Sequence, residues 1–165
     1  MSMIGEYARV TPQELDQILR DPQWGQDFVD GLCEAYPGEG GAAGQRVLDV
    51  DKAWNGIWYL LNAVGGAPVD VVGGGEQVSD DDWGYGPARY LTADDVRAAA
   101  AYLRETTWEA LASHFDPAHL QAADIYPAIW DDPHALDYLR ENFQCLVAFF
   151  AAAATVGDAI VLWLD

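Results

Sequence analysis

Apolar residues recur along most of this chain with a helical period, and the periodic stretches are separated by proline, glycine and capping residues. Thr11-Pro12-Gln13-Glu14 is a capping box with proline at the first helical position, and Leu15, Ile18 and Leu19 follow on one face. Upstream, residues 3 to 10 read as a strand anchored by Ile4 and Tyr7. An Asp-Pro signal recurs at Asp21-Pro22, Asp116-Pro117 and Asp132-Pro133, each predicting an N-cap and a helix behind it. The helix after Asp21 carries Trp24, Phe28, Leu32 and Tyr36 at i, i+4 steps and should stop at Pro37-Gly38, with an exposed Gly/Ala linker to about Gln45.

The run from Leu48 to Trp54 leads into a helix for which Asp49 or Asp51 is the expected cap, with Trp54, Ile57, Trp58 and Leu61 as its buried stripe. Beyond Gly65-Gly66, Val69 to Val72 reads as a short strand, Gly73 to Glu76 as a turn, and the segment with Asp80-Asp81-Asp82 as an acidic loop. Thr92 and Thr107 each cap a helix, the first through Val96, Ala100 and Leu103, the second through Trp108, Leu111 and Phe115. Asp124 to Pro127 breaks the helical run. The last helix, from Pro133, shows Leu136, Leu139, Phe143, Leu146 and Phe150 on one face and closes at Gly157. Ala159 to Leu164 is continuously apolar, the mark of a central strand covered on both faces, here beside the N-terminal strand. The expected fold is a single α+β domain over residues 1–165, with about six helices packed on a small sheet that includes both terminal strands.

Composition changes the picture mainly through charge. Half of the 165 residues are apolar, including seven Trp, eight Tyr and five Phe, so a core can form and disorder is excluded. The net charge of −19 repels phosphate backbones and anionic membrane surfaces, which excludes nucleic acid and membrane partners and leaves a basic protein as the partner the charge favours. Lys52 is the sole lysine against seven arginines, a bias that also fits a genomic or halophilic origin for the acidity. Cys33 and Cys145 lie in helical patterns and suggest neither disulfide framework nor zinc site. With no signal-type N-terminus and no apolar run long enough to span a bilayer, the expected location is the cytoplasm.

Several short motifs in order carry a family likeness: Met3-Ile4-Gly5-Glu6-Tyr7, Leu48-Asp49-Val50-Asp51-Lys52-Ala53-Trp54, Val72-Gly73-Gly74-Gly75-Glu76, Gly86-Pro87-Ala88-Arg89-Tyr90-Leu91 and Ile125-Tyr126-Pro127-Ala128-Ile129-Trp130. Together they resemble the YfbM-like family, a bacterial domain of unknown function, over nearly the whole chain. The resemblance implies a small α+β fold and brings no activity, catalytic residue or cofactor with it.

The residues themselves supply no catalytic constellation and no cofactor motif. His114, His119 and His134 accompany neither a Gly-x-Ser-x-Gly nor a Cys-His signature, and the five-residue step from His114 to His119 misses the spacing of two ligands on one helical face. Gly73 to Gly75 could cradle a phosphate, but no helix-opening Gly-Lys-Ser/Thr follows, so they read as a turn that lets backbone approach another element. Glu76 with Asp80 to Asp82 lacks the spacing of a calcium loop and reads as a solvated acidic segment. Lys52 between Asp49 and Asp51 either receives an anionic ligand group or neutralises the two aspartates while its stem packs on tryptophan. Arg89, Tyr90 and Tyr126, polar-tipped side chains in irregular segments, complete a candidate binding set of Lys52, Asp49, Glu76, Arg89, Tyr90 and Tyr126.

Three function classes follow. A non-enzymatic interaction module of inhibitor or immunity type, covering a basic partner with an acidic face, ranks first on charge. A small-ligand binder using the loop region 65–90 ranks second, and an enzyme working through carboxylates third.

Overall fold

Five antiparallel strands and seven helices make up the computed structural model, which describes residues 2–35 and 44–165. The strands are β1 (Gly5–Val10), β2 (Val47–Asp49), β3 (Glu76–Asp82), β4 (Pro87–Leu91) and β5 (Ala159–Leu164), in sheet order β2-β1-β5-β4-β3. The helices are α1 (Pro12–Arg20), α2 (Pro22–Ala35), α3 (Trp54–Val64), α4 (Ala93–Glu105), α5 (Trp108–Ala112), α6 (Pro117–Ala122) and α7 (Ala135–Val156). The fold is α+β and helix-rich, and its two terminal strands lie side by side at the centre, as the apolar run at the C-terminus predicts.

Local chemistry sets most boundaries. Thr11 with Glu14 and Thr92 with Asp95 form reciprocal capping boxes, and the side chains of Thr107 and Asp116 accept from the first-turn amides of α5 and α6. Gly157 adopts the left-handed conformation (φ 77°) that ends α7. The predicted stop of α2 at Pro37-Gly38, its Tyr36 and most of the Gly/Ala linker lie outside the described residues.

Elsewhere the structure corrects the pattern. Leu48 and Asp49 belong to β2, and a 3-10 turn over Asp51–Ala53 leads into α3, whose N-cap is Ala53; Asp49 instead accepts from the Asp51 amide, so neither aspartate caps the helix. Val69 to Val72 is no strand: Asp70 Oδ1 accepts from the amides of Val72 (3.0 Å) and Gly73 (2.7 Å), folding the segment into a turn that buries Val71. The acidic stretch at 80–82 belongs to edge strand β3, where exposed carboxylates guard an open hydrogen-bonding edge. Asp132 accepts from the amide of His134 in a turn, and α7 begins at Ala135, two residues after Pro133.

The sheet separates two cores. Tyr7, Leu48, Leu91, Ile160 and Leu162 face α3 to α7, whose buried Ile57, Leu60, Leu103, Leu139, Phe143 and Phe150 fill the larger one. Ala8, Val10, Val47, Ala88, Ala159 and Val161 face Leu15 and Ile18 of α1 and Val29 and Leu32 of α2. β5 is therefore apolar throughout because both faces are covered, and only its last residues, Trp163 and Leu164, remain half-buried. There the layers part and leave a cleft.

Candidate functional site

A cleft of about 390 Å³ opens where the first turn of α3 overhangs the start of β1, the end of β5 and the start of β4. Trp54, Asn55 and Trp58 form one wall, Gly5, Tyr7, Leu162 and Leu164 the floor, and Val72, Gly73, Tyr85, Pro87 and Arg89 the other side, with Glu6 and Trp163 bordering it. Its size and its mix of aromatic walls with few polar groups are those of a small-molecule site.

Each wall is held by identifiable contacts. Trp54 Nε1 donates to the Met3 carbonyl at 2.9 Å and its ring stacks on Tyr126, while Gly5 lets α3 come close, since a Cβ there would lie 2.9 Å from both Trp54 and Val50. Asn55 Oδ1 accepts from the Tyr126 amide at 2.8 Å, so the segment at 125–127 fixes the helix start from outside. Tyr85 is carried by the β3–β4 turn, whose amide at Tyr85 donates to the Leu164 carbonyl at 2.8 Å. Gly84 (φ 133°) makes that approach possible: a Cβ would sit 2.5 Å from the same carbonyl. Trp83 turns the other way and packs edge-on against Trp163.

The electrostatics of the cleft rest on two groups. Arg89 donates from Nη1 to the Gly75 carbonyl at 2.8 Å and has no carboxylate partner among the described residues, although the chain carries 27 acids. Gly74 (φ 76°) brings the glycine turn against the Arg89 and Leu162 side chains, and Gly75 brings it against the Tyr90 backbone, which agrees with the close-approach reading of these glycines. Glu6 is the other group: burial, then the charges of Asp49 and Asp165, push its carboxyl up to about 8, so it is largely protonated at neutral pH. The phenol of Tyr7 is also pushed up by burial and donates to the Val71 carbonyl.

Of the six sequence-predicted site residues, only Arg89 lines this cleft. Tyr90, the next residue on β4, points to the opposite face of the sheet and donates to Glu76 at 2.8 Å. Lys52 and Asp49 sit at the β2–α3 junction; the Lys52 amide donates to the Tyr138 hydroxyl, which donates to Asp51 at 2.7 Å. Lys52 forms no ion pair with Asp51 among the described residues. Tyr126 stands behind Trp54 and accepts from the Met3 amide at 3.1 Å. The predicted set is thus spread over four places, because neighbours on a strand face opposite ways and Lys52 lies on the α7 side of its turn.

Of the wall residues, sequence reasoning assigned Trp54 and Trp58 to a buried stripe and did not single out Tyr85, which lies within the 65–90 region named for a small ligand. The stripe on α3 is rotated from the expected one: Gly56, Ile57, Leu60 and Leu61 are buried, whereas Trp58 is 37 % exposed. Two tryptophans four residues apart beside a glycine at 56 were the available signal, since Gly56 lets Trp130 and Leu139 occupy the buried side and turns Trp58 outward.

The described residues contain no helix long and apolar enough to cross a membrane and no group of three or more His, Cys, Asp or Glu placed to hold a metal ion. No curated protein matches the chain. Among solved structures, it is similar to YfbM, a protein of unknown function from Escherichia coli, with 18 % identity and a TM-score of 0.71 over 99 % of this chain and 100 % of that one. The likeness at that identity is one of fold. The family model for the domain of unknown function DUF1877 matches residues 1–163, and the chain therefore belongs to that family.

Proposed function

We propose that this domain binds a small molecule in the cleft between α3 and the sheet. One observation carries the reading: the two most exposed aromatic side chains among the described residues, Trp58 (37 %) and Tyr85 (39 %), come from separate elements and both line the same cleft. Leaving such rings in water costs free energy that a flat ligand recovers on binding. A thermal-shift screen against a panel of small metabolites tests it. Binders should raise the melting temperature of the wild-type protein and fail to do so for Trp58→Ala, a change at an exposed position that spares the core. A screen without a hit, or hits indifferent to both Trp58→Ala and Tyr85→Ala, overturns it.

A second reading, an acidic face that covers a basic protein, is favoured by the charge balance. With 27 acidic against 8 basic side chains, most carboxylates have no countercharge within the chain, and Asp80 to Asp82 stand exposed on the edge strand. A pull-down at low and high salt tests this: capture of one basic protein, lost as salt rises from about 50 to about 500 mM, supports it.

A further inference from the structure

We propose that the ligand of this cleft is a flat aromatic molecule carrying a single negative charge, its ring against Trp58 and Tyr85 and its carboxylate on the guanidinium of Arg89. The inference rests on the small-ligand reading and adds the chemical class. Arg89 uses Nη1 on the Gly75 carbonyl, which leaves further N–H donors of its planar fork for a carboxylate. In a chain with net charge −19, a cleft-lining arginine without a carboxylate partner among the described residues is a local exception to the overall field. Glu6, which borders the cleft, has its carboxyl pushed up by burial and then by the charges of Asp49 and Asp165, so it opposes an anion there less than an ionised carboxylate would.

The same field limits the charge. A polyanion such as a nucleotide triphosphate would be repelled on approach by the acidic surface, whereas a monoanion meets that field once and gains a charge-assisted pair inside. A cation is disfavoured by Arg89 itself, despite aromatic walls that would otherwise suit one.

Calorimetry with three probes of one shape separates the possibilities: indole-3-acetate, its neutral amide indole-3-acetamide, and cationic tryptamine. The wild-type protein should bind the acetate about tenfold more tightly than the amide, and tryptamine more weakly still. Arg89→Gln, which can retain a donor to Gly75, should abolish the preference for the acetate, Arg89→Lys should restore part of it, and Trp58→Ala should weaken all probes alike. Equal binding of acid and amide, a preference for tryptamine, or a preference that survives Arg89→Gln overturns the monoanion class while leaving the cleft as a binding site. Failure of all three probes overturns the class as well, and the metabolite screen then decides the fate of the cleft on its own.

Discussion

The hydroxyl of Tyr7 donates to the carbonyl of Val71 at 2.9 Å, tying the first strand to a turn 64 residues further along the chain. The bond holds the floor of the cleft to its side, because Tyr7 and Val72 both line it. Burial raises the phenol, so the hydroxyl stays a neutral donor throughout the working pH range. Tyr7→Phe keeps the edge-on contacts with Phe149 and Phe150 and removes only the donor, leaving a buried carbonyl unsatisfied. We expect a loss of about 1–2 kcal/mol in urea unfolding. A variant as stable as the wild type would show that water replaces the bond.

Arg9 and Asp158, the two buried charged residues among those described, meet at 3.2 Å across the junction of α7 and β5 with the first strand. Arg9 also donates to the Gln45 carbonyl at 3.3 Å. Asp158→Ala strands a buried guanidinium and should cost about 3 kcal/mol, whereas Arg9→Met combined with Asp158→Leu should recover most of that loss. A double-mutant cycle measures the coupling, and additive losses would mean the two charges act independently.

How far the sequence speaks depends on whether a signal is local. The capping box at Thr11, the N-cap at Thr92 and the central place of β5 were legible, since a cap needs only a few residues and an apolar run needs cover on both faces. The Asp70 turn was misread as a strand because Val69, Val71 and Val72 favour one, and the competing signal is a single side chain folding back on its own backbone. Arg89 was legible as a candidate, though the irregular backbone expected around it is strand β4. Its cleft was not: Trp58 and Tyr85 are brought beside it by the packing of α3 and by Gly84 against the end of β5, contacts with no trace in local periodicity.

Glu6 gives the fold a pH dependence whose sign is opposite to that of a paired carboxylate. The unfolded chain releases the Glu6 proton near the usual value of 4.5, while the folded protein keeps it to about 8, so the folded state binds more protons between these values. Stability from this residue is therefore highest at the acidic end and declines as pH rises through that window. Glu6→Gln preserves the shape without the charge. It should equal the wild type near the acidic end and exceed it above about pH 8 by roughly 1–2 kcal/mol, a figure reduced for the solvent that still reaches the side chain. Parallel stability curves for the two proteins across the window would sink the assignment.

Two helical glycines offer opposite outcomes for one substitution. A Cβ at Gly56 would lie 2.6 Å from Trp130 and 2.7 Å from Leu139, both fully buried and with no room to retreat. Gly56→Ala should cost about 1–3 kcal/mol even after the better helix propensity of alanine is counted. Gly31, on the exposed side of α2, meets nothing within 4 Å, and Gly31→Ala should stabilise by roughly 0.5–1 kcal/mol because the unfolded chain loses freedom without any clash in the folded one. Thermal unfolding of the pair reads both signs at once. Since Gly56 also keeps α3 seated so that Trp58 faces the cleft, Gly56→Ala should weaken cleft ligands as well, whereas Gly31→Ala should leave their binding unchanged. If both variants bind as the wild type does, the seat of α3 on Trp130 is not what sets the wall of the cleft.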